Sequence, residues 1–127
     1  MPDHKRILLL SDTHSHLDPT IKKYAAKADE IWHAGDIGNP QVMDDLKLWC
    51  PSVKAVYGNI DNHELRAFLP EYQLIRFGLH IVLLIHIAGA AGKYNQRVKK
   101  LIQEYRPTLL VCGHSHILKV QKFRSLG

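Results

Sequence analysis

The sequence predicts an α/β domain with a layered, mixed sheet, and two observations predict this class. Apolar runs of strand length alternate along the chain with segments of helical periodicity. Most of these runs are continuously apolar, which is typical of strands covered on both faces. With 127 residues and a hydrophobic fraction of 46%, the chain is interpreted as one globular domain over residues 1–127.

Seven apolar segments predict the strands. They are Ile7–Leu10, Ile31–Trp32, Val53–Tyr57, Tyr72–Phe77, Ile81–Ile85, Leu109–Cys112 and Ile117–Phe123. The fourth and fifth flank the dipeptide Gly78-Leu79, a spacing that indicates a hairpin. A hairpin inside an otherwise parallel arrangement makes the sheet mixed.

Three helices are predicted between the strands. Apolar residues at helical spacing follow Asp18-Pro19 and Asn39-Pro40, and each pair is interpreted as a cap and a first helical residue. The third pattern starts at Tyr94 and ends at Tyr105, before Arg106-Pro107.

Polar residues follow the apolar runs at their carboxyl ends. In open α/β sheets these ends meet at one edge, so the side chains are expected to converge although they are scattered along the chain. The residues are Asp12 and His14, Asp36, Asn59 (with Asp61 left open as a turn residue), His86, and His114 and His116. In each pair the two members are two positions apart, so they project to the same side of an extended segment.

Nitrogen and oxygen donors without thiolate predict the kind of metal. This mixture suits Mn²⁺, Fe²⁺, Zn²⁺ or Co²⁺ and contains too much nitrogen for a dedicated Ca²⁺ or Mg²⁺ site. Seven ligating residues exceed what one ion needs, so two ions that share a bridging carboxylate are expected. His4, His33 and His80 are interpreted as structural, with His33 as a candidate support for a ligand.

These motifs, in this order, resemble the calcineurin-like metallophosphoesterase superfamily, and their length and style resemble its small bacterial phosphodiesterase branch. The motifs are Asp-x-His, Gly-Asp, Gly-Asn-x-Asp, a lone histidine after a strand, and Gly-His-x-His, and the resemblance covers residues 7–116. The resemblance implies a four-layer αββα sandwich and a hydrolase that cleaves phosphodiesters with two divalent metal ions. Mn²⁺ is the expected ion, with Fe, Zn, Co or Ni as alternatives.

The resemblance also implies the role of each ligand. One metal would be held by Asp12, His14 and His116, the other by Asn59, His86 and His114, and Asp36 would bridge them. Asp36 and His114 are the implied catalytic residues. Two ions at the usual separation of about 3.5–4 Å would activate a water and stabilise the in-line transition state.

The sequence departs from the family pattern at three places, and these departures predict differences in activity and in the C-terminal part of the fold. The position that follows the Gly-Asn asparagine is Ile60, where many members have a histidine that contacts phosphate, so slow turnover of esters with good leaving groups is expected. His16 and His63 are the nearest candidates for that role. The segment around His86 differs from the usual one, and the chain ends soon after Gly-His-x-His, so the C-terminal strands are expected to be truncated.

Charge, hydropathy and cysteine spacing predict the kind of binding partner and the cellular location. The formal net charge of +5 favours anionic partners, but no basic stripe with interleaved aromatics appears, so nucleic acid is not the expected partner. No apolar run approaches the roughly 20 residues of a membrane span. Cys50 and Cys112 lack metal or disulfide spacing, which favours reduced thiols and a cytoplasmic location. A sheet edge near Ile117–Phe123 predicts homo-oligomer formation.

Three functions follow from the sequence. The first is a dinuclear metal phosphodiesterase acting on a small phosphodiester, which the full ligand set favours. The alternative is a protein-interaction module with this fold and little or no catalysis, as in the retromer subunit of the superfamily. Ile60 and the short end favour it. The third, a nuclease, is favoured only by the positive charge.

Overall fold

The computed structural model describes residues 6–14, 17–87, 89–90, 93–113 and 119–122. These residues form nine strands and four helices, which alternate over most of the chain. The strands are β1 (Ile7–Leu10), β2 (Glu30–His33), β3 (Val53–Ala55), β4 (Tyr72–Phe77), β5 (His80–Ile85), β6 (Gly89–Ala90), β7 (Lys93–Tyr94), β8 (Leu109–Cys112) and β9 (Lys119–Lys122). The helices are α1 (Pro19–Ala25), α2 (Gln41–Trp49), α3 (His63–Phe68) and α4 (Gln96–Tyr105).

The strands form two main sheets. The first has the order β1-β2-β3 and is parallel throughout its described part. The second has the order β4-β5-β8-β9 and is mixed, because β5 and β8 are parallel whereas the β4–β5 hairpin and the β8–β9 pair are antiparallel. The predicted hairpin and mixed sheet are therefore confirmed, and β6 and β7 add a short antiparallel ribbon.

Three separate apolar cores show how the layers stack. Helices α1 and α2 pack on the outer face of the first sheet, around Ile31, Ile37 and Leu46. The two sheets face each other across a second core that contains Trp32 and Val82. Helix α4 packs on the outer face of the second sheet through a third core. The order is helix, sheet, sheet, helix, as the resemblance implies.

The continuous apolar runs arise because successive side chains enter different cores. In β5, Val82 and Leu84 belong to the core between the sheets, whereas Leu83 and Ile85 pack toward α4. The same alternation occurs in β1 and β8, since neighbouring side chains of a strand project to opposite faces. Both faces of these strands are covered, so both must be apolar.

The helix starts follow the predicted caps with small shifts. The side chain of Asp18 accepts a hydrogen bond from the N–H of Thr20, and Pro19 is the first residue of α1. Helix α2 begins one residue later than predicted, at Gln41, whose N–H donates to the side chain of Asn39. Tyr94 lies in β7 and not in α4, because the side chain of Asn95 caps that helix.

Helix α3 was not predicted from the sequence. It has six residues, too few for an apolar periodicity to be recognised, although the side chain of Asn62 caps it by accepting from the N–H of Leu65. Strand β3 ends at Ala55, two residues earlier than the predicted strand, and the chain then turns toward the site.

The second sheet ends at β9 in the part of the chain that the structure describes. Strand β9 pairs with β8 on one side, as expected for the segment 117–123, of which residues 117–118 and 123 lie outside the described residues. None of the described helices has the length and apolar character that crossing a membrane requires.

Candidate metal centre

The carboxyl ends of four strands deliver the predicted ligands to one edge of the sandwich. Asp12 and His14 follow β1, Asp36 follows β2, Asn59 follows β3 and His86 follows β5. Gly113 follows β8 and its N–H donates to the backbone oxygen of His86 (3.0 Å), so the last predicted motif starts at the same edge. His114 and His116 lie outside the described residues.

The first group of donors consists of Asp12, His14 and Asp36. One ligand atom from each of these residues lies within 4.8 Å of the other two. Nε2 of His14 is 3.7 Å from Oδ2 of Asp36 and 4.0 Å from Oδ1 of Asp12. Both carboxylates are buried at their side chains, whereas His14 is exposed over 39% of its side chain. The group is therefore accessible to solvent on the histidine side.

The second group consists of Asn59, His86 and again Asp36. Nε2 of His86 lies 2.9 Å from Oδ1 of Asn59 and 3.1 Å from Oδ2 of Asp36. On the other side of the ring, Nδ1 lies 2.7 Å from the backbone oxygen of Ala34, a distance at which Nδ1–H donates to that carbonyl. The lone pair of Nε2 then faces two oxygens.

This arrangement is one that a cation stabilises. Nε2 of His86 lies 2.9 Å and 3.1 Å from two oxygens that belong to other loops, and a cation placed among these three atoms would be bound by all of them. The backbone carbonyl that fixes the other ring nitrogen is a usual partner of metal-ligating histidines. The donor set of carboxylate, imidazole and amide oxygen fits a divalent transition metal, so the described residues fit the implied group.

Asp36 is common to both groups. Its Oδ2 is the atom nearest to His14 in one group and to His86 in the other. Its Oδ1 accepts a hydrogen bond from the N–H of Ile60 at 3.1 Å, so the carboxylate is fixed in orientation. A carboxylate in this position can bridge two cations.

Three of the candidate ligands have a left-handed backbone. The φ angles are 54° at Asp12, 47° at His14 and 56° at Asp36. Asp and His tolerate this region better than most residues, but it remains unfavourable and is concentrated at functional sites. Backbone hydrogen bonds hold the strained loops together, from the N–H of Asp12 to Gly35 O (2.9 Å) and from the N–H of His14 to Asp36 O (3.0 Å).

The glycines of the motifs make room for ligands of other motifs. A Cβ at Gly58 would overlap the carboxylate of Asp36, and a Cβ at Gly35 would lie 2.8 Å from the ring of His86. A Cβ at Gly113 would lie 2.9 Å from Oδ2 of Asp12. Each glycine is therefore needed for close approach, and the three approaches fix the relative position of the loops.

Asp61, which the sequence left open as a turn residue, organises two loops. Its buried carboxylate accepts hydrogen bonds from the N–H groups of Gly58 (2.8 Å), Ile37 (3.2 Å) and Gly38 (2.9 Å). These groups belong to the loops that carry Asn59 and Asp36. Asp61 thus holds two ligand-bearing loops together, and it is more than a turn residue.

His33 is a buried support behind the site. It is 0% exposed, its Nδ1 accepts from the N–H of Gly35 (3.1 Å), and its Nε2 lies 3.0 Å from Oγ1 of Thr13. Since the hydroxyl of Thr13 donates to the backbone oxygen of Ile37 (3.0 Å), Nε2–H donates to Thr13 and the ring is neutral. Burial lowers the pKa of His33 to about 4, against opposing contributions from Asp61 and Asp12.

The residue in place of the family histidine lies at the mouth of the site. The side chain of Ile60 is apolar and the residue is 46% exposed. Its backbone N–H donates to Oδ1 of Asp36. Of the two candidates for the missing role, His63 is an exposed residue at the start of α3, and His16 lies outside the described residues. His80, interpreted as structural, lies 3.0 Å from Oγ1 of Thr108 through Nδ1.

Comparison with known proteins agrees with this geometry. Residues 6–126 match the calcineurin-like phosphoesterase superfamily domain, which is nearly the whole sequence. The chain belongs to this superfamily. Members use divalent metals, and the group of Asp12, His14 and Asp36 is a candidate position for such an ion in this chain. No curated protein sequence matches the chain significantly.

Solved structures share the calcineurin-like fold. Vps29 from Chaetomium thermophilum has a TM-score of 0.76 at 19% identity, with 94% of this chain and 67% of that chain covered. A predicted phosphoesterase from Streptococcus pneumoniae has a TM-score of 0.63 at 24% identity, with coverages of 88% and 63%. An archaeal phosphodiesterase has a TM-score of 0.65 at 20% identity, with coverages of 88% and 74%. The chain thus spans about two thirds to three quarters of these proteins.

Proposed function

We propose that this calcineurin-like phosphoesterase is a metal-dependent phosphodiesterase that hydrolyses a small phosphodiester. The observation that carries the proposal is the position of Asp36, whose Oδ2 lies 3.7 Å from Nε2 of His14 and 3.1 Å from Nε2 of His86. This oxygen lies near two imidazole nitrogens, one from the loop after β1 and one at the end of β5, so the carboxylate is placed where it could bridge two cations.

The proposed ligands are those expected from the sequence. Asp12, His14 and His116 would hold one ion, Asn59, His86 and His114 the other, and Asp36 both. The two histidines after β8 lie outside the described residues, and their assignment depends on the position of Gly113 beside Asp12 and His86. Mn²⁺ is the proposed ion, as the family resemblance implies, with Fe, Zn, Co or Ni as alternatives, and the mixed nitrogen and oxygen donors without thiolate are compatible with it.

The chain's own residues position the reaction. When bound, two divalent ions would supply an activated water and would polarise the phosphoryl oxygens. Asp36 keeps its orientation through the N–H of Ile60, and His86 keeps its tautomer through the carbonyl of Ala34. Ile60 cannot protonate a leaving group, so the proposed substrates are esters whose leaving group needs little protonation.

A protein-interaction module with little catalysis is the second candidate. The fold similarity to Vps29 is compatible with it, and Ile60, an apolar and half-exposed side chain next to Asp36, favours it. Strained backbone at three candidate ligands favours the enzyme, since a scaffold has no need to maintain that strain.

The decisive experiment is hydrolysis of bis(p-nitrophenyl) phosphate by the full chain with and without Mn²⁺. Asp36→Asn keeps an oxygen for the N–H of Ile60 but removes the bridging charge, so it is expected to abolish the metal-dependent rate. Asp44→Asn, on the exposed side of α2, is the matched control and is expected to retain the wild-type rate.

The two candidates give opposite results in this experiment. Metal-dependent release of nitrophenol that is lost in Asp36→Asn and kept in Asp44→Asn supports the phosphodiesterase. A folded chain that binds metal but releases no nitrophenol contradicts the enzyme and favours the interaction module.

A further inference from the structure

A pocket of about 540 Å³ opens beside the second group of candidate ligands. Its size is within the range of small-molecule sites, which is about 300–1,000 Å³. Two of its wall residues, Asn59 and His86, belong to the candidate metal centre. Other wall residues are Tyr57, Arg66, Ile85 and Ile87. The pocket is therefore continuous with the place where a phosphoester would react.

Arg66 is held in this pocket by backbone groups on both sides of Ile60. Its Nε donates to the carbonyl oxygen of Asp61 (2.8 Å), and its Nη2 donates to the carbonyl oxygen of Asn59 (3.2 Å). The guanidinium carbon lies 4.7 Å from the centroid of the Tyr57 ring. Two carbonyls and an aromatic face fix the group before any ligand arrives, and further N–H groups remain for a ligand.

The positive charge of Arg66 has no carboxylate partner among the described residues. The other arginine of the pocket, Arg97, donates to Oε1 of Glu71 through Nε (3.0 Å) and Nη2 (2.9 Å), and this hydrogen bond raises the pKa of its guanidinium. Arg97 and Glu71 therefore largely neutralise each other. The remaining charge of the pocket comes from Arg66, and the start of α4 at Asn95 and Gln96 adds positive potential.

The rest of the wall is suited to an organic group. Ile85, Ile87 and the ring of Tyr57 are apolar, and they lie in the same pocket as the guanidinium. A ligand that matches this surface has a phosphoryl oxyanion joined to an aromatic or otherwise apolar group. Arginine is the side chain best suited to phosphoryl oxygens, because its planar fork offers two parallel donors.

We infer that Arg66 binds a phosphoryl oxyanion of the substrate and that the adjoining pocket takes the ester's organic group. This inference rests on the proposed phosphodiesterase function and assigns its substrate site. The guanidinium of Arg66 is bound to the backbone on both sides of Ile60, where it can stabilise the negative charge of a phosphoryl group. It does not act as a general acid, because a guanidinium group does not give up its proton in proteins. The preference for good leaving groups is therefore retained.

The first test is a binding measurement that needs no metal. Phenylphosphonate is titrated calorimetrically into the full chain after treatment with EDTA and dialysis. Arg66→Gln is expected to weaken binding at least about 10-fold, the usual effect of losing a charged hydrogen bond. Arg76→Gln removes an exposed arginine of β4 outside the pocket and is expected to change the Kd less than twofold. Equal Kd values for wild type and Arg66→Gln overturn the inference.

Two further variants test the same inference if Arg66→Gln folds poorly. Arg66→Lys keeps the charge without the fork, so it is expected to bind phenylphosphonate with intermediate affinity. Glu71→Gln leaves Arg66 intact and releases Arg97, so it is expected to tighten binding. Weaker binding in Glu71→Gln contradicts the assignment of the pocket as an anion site.

Hydrolysis in the presence of Mn²⁺ shows whether Arg66 contacts the phosphoryl group that reacts or a second phosphoryl group of the substrate. The substrates are the p-nitrophenyl ester of thymidine 5′-phosphate and the same ester with a 3′-phosphate. If Arg66 contacts the reacting phosphoryl group, Arg66→Gln lowers kcat/KM for both by about 100-fold. If it contacts a second phosphoryl group, only the 3′-phosphorylated ester is affected.

Failure of the inference and failure of the proposed function look different. An active wild type and an inactive Asp36→Asn, together with Arg66→Gln at wild-type rates on both esters, overturn the inference alone. A wild type that hydrolyses neither ester overturns the proposed function, and the phenylphosphonate titration then still decides whether Arg66 binds an oxyanion.

Discussion

Nε2 of His86 lies 3.1 Å from Oδ2 of Asp36, while Nδ1 of the same ring lies 2.7 Å from the backbone oxygen of Ala34. The two contacts connect the end of β5 with the loop after β2, which lies in the other sheet. The ring of His86 is therefore held by Ala34, two residues before Asp36, whose carboxylate faces the other nitrogen of the ring. The candidate metal centre is therefore built across the two sheets, and its geometry depends on how they pack.

Metal binding is expected to stabilise the fold. A ligand present at about 100 times its Kd adds roughly 2.7 kcal/mol to the free energy of unfolding, which corresponds to a rise in Tm of roughly 10 °C for a chain of this size. The measurement is thermal melting with EDTA and with Mn²⁺. His86→Ala is expected to lose most of the rise, whereas His80→Ala, which lies outside the site, is expected to keep it. An equal rise in both variants would argue against His86 as a ligand.

The space at Gly58 is expected to be essential. Gly58→Ala places a Cβ against the carboxylate of Asp36, so the loop must move and the Mn²⁺-dependent rise in Tm is expected to disappear. Gly78→Ala is the matched control, because a Cβ there meets nothing within 4 Å although φ is +60°. It is expected to cost about 1 kcal/mol of stability and to leave the rise intact. A normal metal response in Gly58→Ala would contradict this role.

Asp61→Asn is expected to destabilise both ligand-bearing loops. The carboxylate accepts from three backbone N–H groups, and an amide cannot accept equally well at both positions. Loss of these buried hydrogen bonds is expected to lower the free energy of unfolding by about 2–3 kcal/mol in urea titrations. Asp18→Asn is the control, since asparagine is an equally good N-cap for α1. Equal stability of the two variants would rule out the proposed support.

Stability is expected to fall on mild acidification because of His33. Its pKa is about 4 in the folded chain and 6.5 in the unfolded chain, so the folded state binds fewer protons between these values. The contribution of neutral His33 to the free energy of unfolding is complete above pH 6.5 and is lost as the pH falls toward 4. The free energy of unfolding then falls by about 3 kcal/mol in total, at roughly 1.4 kcal/mol per pH unit. Urea titrations at pH 7.5 and 5 measure it. His33→Gln is expected to be less stable at pH 7.5 and less sensitive to pH, and an unchanged sensitivity would refute the assignment.

Self-association through the edge strand β9 remains a prediction. In the described part of the chain, β9 pairs with a neighbour on one side, and an unpaired strand edge favours pairing with another chain. Sedimentation velocity over a range of concentrations is expected to show a dimer that forms as the concentration rises. A single monomeric species throughout would contradict the prediction.

Much of the fold could be predicted from local patterns. The boundaries of β1, β4 and β8 agree with the sequence because their apolar runs are bounded by polar or turn residues. Helix α3 was missed because six residues carry too little periodicity, and Tyr94 was misplaced because Asn95, rather than an earlier residue, caps α4. Both errors concern segments where a single side-chain hydrogen bond decides the boundary.

The convergence of the candidate ligands at one edge could also be predicted from local patterns. Asp12, Asp36, Asn59 and His86 each follow an apolar run, and the carboxyl ends of strands meet at one edge. The supporting residues were less accessible to prediction. His33 and Asp61 are polar residues next to ligands in the sequence, but nothing local shows which N–H or hydroxyl they contact.

By itself the sequence determined the α/β class, the alternation of elements and the identity of the candidate ligands, because these depend on side-chain type and on spacing along a single segment. The tertiary structure decided which atoms meet. The approach of Gly58 to Asp36, the cluster of N–H groups on Asp61 and the fixation of Arg66 beside Ile60 join loops that are distant in sequence. Such contacts depend on sheet packing and on left-handed residues in the loops, and these are properties of the folded chain.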